Sequence, residues 1–342
     1  MYRLIKFCNT PVIAIPAASR KLSIAAIRRY QPATVKKLLF QLALRVALAS
    51  RIERFVGRLI ENPLNFISGF NLEKWLEHIS SEIGKECVYA TVVWPSQLHR
   101  GRIYVHLMDC HGRQAAFVKI SLDQFNDQML SNENDTIKYL YTRQLKLSTQ
   151  PGILCFGQFC GYTYLALEPL PESAQPIRPS LNELVNIIQE YAGPVRVIPE
   201  TNIQDIGWWP AFHEFASSVP EFMETMKNAV SNGMKVCMVH GDMGLHNMVL
   251  ENKRLWLFDW EQSSKEGPCH TDELSMWLSA NQKLALRSPD RAVKCFADKY
   301  LNNSSAEYSA GVIAALGYLA AMKVLSAQII ITNWNKTSSL SR

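Results

Sequence analysis

The sequence predicts an α+β chain of two lobes behind a basic helical segment, and three observations predict it. Apolar and polar residues form short strand-like runs between residues 87 and 167, whereas beyond residue 180 apolar positions recur at every third or fourth place. A length of 342 residues exceeds what one small core organises. Charge is uneven: residues 1–62 hold twelve Lys/Arg and only two acids, Glu53 and Glu61, although the whole chain nets +6. The expected boundaries are a basic amphipathic helical extension over 1–62, a sheet-bearing lobe with a leading helix over 63–170, a helical lobe over 171–332 and a polar tail over 333–342.

Residues 1–33 are of mixed polarity, and Pro11 and Pro16 discourage a long helix there. They lack the apolar core and small-residue cleavage site of a signal peptide, though an acid-free, Arg-containing start also fits an organellar transit sequence. Over 33–60 the pattern is helical, with Lys and Arg on the remaining faces. Packing against the chain's own lobe is the preferred reading, and contact of residues 34–60 with an anionic membrane is the alternative. The basic residues lack interleaved aromatics, which argues against nucleic acid. Asn62-Pro63 breaks the helix. A short amphipathic helix over 72–83 ends at Gly84.

Strands are expected over 87–94, 103–108 and 114–120, the last two joined by a turn over 109–113, then a helical segment over 130–140. Two further strands, 153–159 and 162–167, pair around Cys160-Gly161, and helices follow over 180–192, 210–217, 220–232 and 300–331. No run reaches the ~18 uninterrupted apolar residues of a membrane span. Eight cysteines without a C-x-x-C pair suit reduced thiols and the cytosol.

The chemistry concentrates at His240-Gly241-Asp242 and Asn247, with Asp259-Trp260-Glu261 behind. Residues 248–250 and 255–258 read as strands joined by the four-residue turn 251–254. If Leu250 faces Leu255, counting sets Asn247 opposite Phe258, so that Asn247 and Asp259 end adjacent strands roughly 5 Å apart. Two oxygen ligands at that spacing can share one hard divalent cation, and Asp242 at the base of the loop can accept a proton. That outlines a phosphoryl-transfer site.

These residues resemble the catalytic core of the kinase superfamily, written H-R-D-x-x-x-x-N and then D-F-G in protein kinases. The match is closer to the aminoglycoside phosphotransferase and choline kinase branch, particularly bacterial small-molecule phosphotransferases, and covers residues 85–280. The resemblance implies a bilobal protein-kinase-like fold with an antiparallel-sheet N-lobe and a mainly helical C-lobe. It implies ATP and Mg²⁺ as cofactors, Asp242 as the base and His240 as a brace for its loop. Asn247 and Asp259 would hold the metal, with Glu261 helping a second ion or tying down its own segment. Lys119 would align the phosphates, steadied by Glu133, with Asp135 and Asp127 as rivals for that role. The Glu168 carbonyl and Leu170 amide would meet adenine.

The loop over 94–102 departs from the family pattern. It has one glycine, Gly101, in place of G-x-G-x-x-G, and leaves Arg100, Arg102, His99 or Ser96 to contact phosphate. Asp272 is expected to cap a helix or brace the catalytic loop. Trp208, Trp209, Phe212 and Trp277 are read as core in preference to an ammonium box. Only twelve residues separate Asp259 from Asp272, too few for a peptide-docking activation segment. The acceptor is therefore expected to be a small molecule: an amino alcohol, sugar, aminoglycoside or lipid-linked glycan. The competing reading is a catalytically silent kinase-fold scaffold. The expected location is the cytoplasm, with peripheral contact at the inner face of the membrane.

Overall fold

The computed structural model describes residues 1–29, 35–50, 57–95, 101–176, 181–302 and 304–334. It divides into two compact units, Met1–Lys138 with Pro151–Glu172, and Tyr139–Gln150 with Ser173–Arg342. The α+β expectation holds: one unit is built on an antiparallel sheet, and the other is mainly helical.

In chain order the first unit begins with strands β1 (Tyr2–Phe7) and β2 (Thr10–Pro16), helices α1 (Arg20–Arg29) and α2 (Val35–Ala49), and strand β3 (Arg58–Ile60). Helix α3 (Leu72–Ile83), strands β4 (Tyr89–Val93), β5 (Arg102–Met108) and β6 (Gln114–Ser121), and helix α4 (Gln124–Thr142) follow. After β7 (Ser148–Thr149), which belongs to the second unit, β8 (Ile153–Phe159) and β9 (Tyr162–Leu167) complete it. The sheet runs β3-β1-β2-β4-β5-β6-β9-β8, and every neighbouring pair is antiparallel.

Local chemistry explains the elements that the sequence predicted here. Asn71 caps α3 by accepting from the Lys74 amide at 3.0 Å, and Gly84 ends the helix at φ +64°. The turn between β5 and β6 is held by Asp109, whose Oδ1 accepts from the His111 and Arg113 amides at 2.9 Å each. The β8–β9 hairpin turns through Cys160 and Gly161, as expected.

Residues 1–62 correct the expectation of a helical extension. The first strands form a hairpin closed by Cys8 and Asn9, both at positive φ, and they join the main sheet through Ile13↔Val93 and Ala14↔Val92. Pro11 and Pro16 are compatible with a strand because Pro11 faces Lys6 across a register break and Pro16 is the last residue of β2. The helix expected over 33–60 ends at Ala49, residues 51–56 lie outside the described residues, and Arg58–Ile60 is a strand against β1. Both faces of β2 are covered. Ala14 joins a core with Phe70, Trp75, Leu76 and Ile79, while Ile13 and Ile15 join a second with Ala26, Ile27, Leu44 and Leu48. The basic helix packs on its own unit through Leu44 and Leu48.

The second unit carries β10 (Gln175–Pro176), α5 (Leu181–Ala192), β11 (Arg196–Ile198), α6 (Trp209–Ala216), α7 (Pro220–Val230) and β12 (Met234–Val239). Next come β13 (Met248–Glu251), β14 (Arg254–Leu257), β15 (Ser264–Pro268), α8 (Thr271–Arg287), α9 (Pro289–Tyr300), α10 (Ala306–Ala321) and α11 (Leu325–Thr332). Two small sheets, β10-β13-β14-β7 and β11-β12-β15, accompany the helices. The core gathers Trp208, Phe212, Phe222, Leu274, Phe296 and the centre of α10, with Trp209 and Trp277 packed against it, so these aromatics are core as expected. Trp334 corrects the polar-tail expectation: it is buried, donates to Thr225 Oγ1 at 3.1 Å and meets Phe222 edge-on, while residues 335–342 lie outside the described residues. Among the described residues no single helix is long and apolar enough to cross a membrane; α10 and α11 qualify only as a pair bent by 117°. All eight cysteines are free.

Candidate active site

In the first unit the structure brings Lys119 and Glu133 together. Lys119 lies on β6 between Tyr104 of β5 and Leu165 of β9, near the middle of the sheet. The entry to α4 is shaped by Asp123, whose Oδ1 accepts from the amide and the side chain of Asn126 at 2.8 Å. Glu133 then falls on the helix face turned to the strand, and its Oε2 accepts from Lys119 Nζ at 2.7 Å. Both side chains are enclosed, 3% and 0% exposed. Of the rivals, Asp135 is exposed and accepts from Asn134, and Asp127 is half-buried one turn into the helix. A buried ion pair is a poor stabiliser relative to apolar replacements, so its presence on a central strand calls for a functional reason.

In the loop over 94–102, Arg100, with Ser96 and His99, lies outside the described residues. Arg102 is buried on β5 with its guanidinium 5.9 Å from the centre of the Tyr104 ring. Gly101 sits at φ +54°, and a Cβ there would fall 1.6 Å from Asp123 Oδ2. The loop's one glycine therefore seats the entrance to α4. At the expected hinge, Glu168 bonds Gly152 twice: its amide donates to the Gly152 carbonyl at 2.7 Å and its carboxylate accepts the Gly152 amide at 3.2 Å. Its side chain is thereby tied to the start of β8. Leu170 lies half-buried just beyond.

In the second unit the loop after β12 is built around His240 and Asp272. Asp272, in the first turn of α8, accepts from the His240 amide at 2.7 Å and the Gly241 amide at 2.9 Å. The Tyr191 hydroxyl on α5 donates to the same carboxylate at 2.6 Å. Burial and then the neighbouring carboxylate push the Tyr191 phenol well above its ordinary range, so it stays a donor. Asp272 makes no helix cap, and the bracing role is the one the structure supports.

His240 is fully buried. Its Nδ1 lies 3.4 Å from the Asp242 amide that donates to it, and its Nε2 is 3.1 Å from the Phe258 carbonyl. These partners assign the ring proton to Nε2, with both nitrogens occupied. The ring rests 4.4 Å from that of Trp260, which is itself buried and donates to the Leu257 carbonyl. His240 thus links the Asp242 amide to the Phe258 carbonyl. Gly241, at φ +84°, makes the turn possible, because a Cβ there would lie 2.2 Å from the Gln262 carbonyl oxygen.

Asp242 has a side chain 37% exposed and faces Asn247 and His246. Asn247 Nδ2 donates to the Asp242 carbonyl at 2.9 Å and to its carboxylate at 3.2 Å, while His246 Nε2 stands 3.5 Å from Oδ2. With its amide nitrogen directed at Asp242, Asn247 presents Oδ1 as its remaining ligand atom. The strand count holds: Leu250 pairs Leu255, Met248 pairs Leu257, and the Phe258 amide donates to the Asn247 carbonyl at 3.2 Å. The hairpin turn is tighter than the expected four residues, because Glu251 pairs Arg254 and only Asn252 and Lys253, both at positive φ, form it. Asp259 follows at φ 70°, ψ 51°, left-handed geometry rare for a side chain other than glycine. It opens a tight turn in which Trp260 and Glu261 are buried.

Asn247 and Asp259 are hard oxygen donors on adjoining strand ends, a donor set that fits Mg²⁺. The sequence reading missed Tyr191, 81 residues from its partner Asp272, and strands β12 and β15, which pair as Val236↔Pro268 and Cys237↔Gly267 to set the loop's base.

No protein-family model matches the chain, and no curated protein matches it. Among solved structures it is similar to a spectinomycin phosphotransferase in complex with ADP and spectinomycin (13% identity, 77% of this chain and 94% of that one, TM-score 0.41). It is also similar to a glucosamine kinase (12% identity, 84% and 86%, TM-score 0.41). A third is the ternary complex of streptomycin, ATP and APH(2")-IIa (12% identity, 77% and 100%, TM-score 0.38).

Proposed function

We propose that the protein is an ATP- and Mg²⁺-dependent phosphotransferase that moves the γ-phosphoryl group to a hydroxyl of a small molecule. The observation that carries this reading is the loop of Asp242: a partly exposed carboxylate, fixed by Asn247 and mounted on the buried His240–Asp272 frame. Phosphoryl transfer requires positioning and charge neutralisation more than covalent chemistry, and a rigidly mounted carboxylate beside oxygen ligands supplies both. Asp242 orients the acceptor hydroxyl and takes its proton. Asn247 and Asp259 would hold Mg²⁺, which when bound would supply neutralising charge for the phosphates. Glu261 supports the Asp259 turn from its buried position or helps a second ion. Lys119, fixed by Glu133, aligns the nucleotide phosphates, and backbone groups of Glu168 and Leu170 meet the base.

The twelve residues between Asp259 and Asp272 favour a small acceptor, an amino alcohol, sugar, aminoglycoside or lipid-linked glycan, over a peptide. A second reading, a silent kinase-fold scaffold, is favoured by Gly101, whose close approach to Asp123 assigns the loop's one glycine to packing. ATP turnover against a panel of hydroxylated metabolites separates the two. The phosphotransferase reading expects turnover that Asp242→Ala lowers by at least about a thousandfold while Mg-ATP affinity persists. Turnover that survives Asp242→Ala would remove that residue as the base, and none with any acceptor would favour the scaffold.

A further inference from the structure

Helix α2 has two apolar faces, and the fold covers one of them. Phe40, Leu44 and Leu48 point inward, with Phe40 edge-on to Phe7 at 5.1 Å between ring centres. The helix is tied to α1 by Gln41 Nε2 donating to the Ile27 carbonyl at 2.9 Å, and by Arg20 Nε donating to the Leu48 carbonyl at 2.8 Å. On the far side Leu38, Leu39, Leu42 and Val46 are 43%, 62%, 43% and 64% exposed. At the α-helical repeat these four fall within an arc of about 100°, the width of a stripe that ordinarily faces a core. Single exposed leucines are unremarkable, but four in one stripe mark a contact surface. Among the described side chains of α2, Arg45 is the only charged one.

The charge of the two helices says what covers it. Neither α1 nor α2 contains an acidic residue, and Arg20, Lys21 and Arg28 on α1 are exposed. Residues 1–62 concentrate twelve of the chain's 36 basic side chains against two of its 30 acids. A second copy seated on this face would oppose like charge to like charge. A bilayer surface rich in anionic lipid offers the opposite sign together with an acyl boundary for the leucines. The apolar stretch Leu38–Ala49 is too short to cross a bilayer, which leaves it lying along the surface.

We propose that α2 docks the protein on an anionic membrane surface, its exposed apolar stripe entering the boundary between headgroups and acyl chains while basic residues of α1 and α2 meet the headgroups. This stands apart from phosphoryl transfer and holds whatever reaction the protein performs.

Flotation of the full chain with phosphatidylcholine vesicles, with and without phosphatidylglycerol, tests it. The chain is expected to float with the anionic vesicles, to be released by high salt and to stay behind with the neutral ones. L39S/V46S changes two exposed side chains and should leave the thermal melt unaltered while weakening partition by about tenfold or more. K21E/R28E, also at exposed positions, should remove the preference for anionic lipid. Absence of flotation, unchanged partition in L39S/V46S, or a stripe-dependent dimer that ignores vesicles would each overturn the proposal.

Discussion

At the scale of single residues the site depends on side chains that are buried and charged together. Lys119→Met leaves Glu133 as an enclosed carboxylate without its ammonium, and unfolding in urea should show a loss of about 3–5 kcal/mol. Adding Glu133→Leu should restore more than about 1 kcal/mol of that loss, because the buried carboxylate goes with it. A double variant no more stable than Lys119→Met would mean that the pair is not coupled. Glu273 offers a test of a different kind. Burial alone would raise its carboxyl, but His270 at 3.5 Å and the Tyr308 hydroxyl donating at 2.9 Å hold it below its ordinary 4.5. A depressed folded-state value stabilises fully above the ordinary one, and the benefit is lost as pH falls through the depressed value. The melting-temperature gap between wild type and Glu273→Gln should therefore be present at about pH 5 and close on acidification. A gap that widens towards acid would contradict the assignment.

At the scale of elements, the loop after β12 shows why some features were legible in the sequence and others were not. Gly241→Ala forces a Cβ against the Gln262 carbonyl oxygen at 2.2 Å and a positive φ on alanine. The expected cost is about 2–4 kcal/mol in thermal stability, with loss of activity at temperatures where the protein remains folded. A variant of normal stability and activity would mean that the loop relaxes freely. The hairpin Met248–Leu257 was readable because its register follows from adjacent apolar runs, and with it came the positions of Asn247 and Asp259. Lys119 and Glu133 were readable because strand and helix are neighbours in sequence. The hairpin at residues 2–16 was not, because prolines argue against regular structure until a register break and a strand end are there to hold them. Helix α2 was readable as amphipathic, yet periodicity alone did not show that two apolar faces lie on it and that, among the described residues, one is covered and the other exposed.

At the scale of the whole molecule, class and element order came from the change of period near residue 170, a property of long segments that no single residue decides. What the sequence withheld was closure: which strand reaches which edge, and that Tyr191, Asp272 and the His240–Gly241 amides form one knot across three elements. Such links depend on contacts 31 to 81 residues apart, which carry no local pattern. The same closure gives a measurement on the intact chain. A ligand that binds only the folded state stabilises by about 2.7 kcal/mol at a hundredfold excess over its dissociation constant. Mg-ATP at that excess should raise the melting temperature by about 4–8 °C. Asp259→Ala removes a hard oxygen ligand and should abolish the part of that shift that depends on Mg²⁺, measured against the melting temperature of the same variant without ligand. Asp242→Ala should preserve most of the shift, because the proposed base acts on the acceptor and not on the nucleotide. A shift equal in wild type and Asp259→Ala would leave the nucleotide reading intact but exclude Asp259 as a metal ligand; no shift at all would count against the nucleotide site itself.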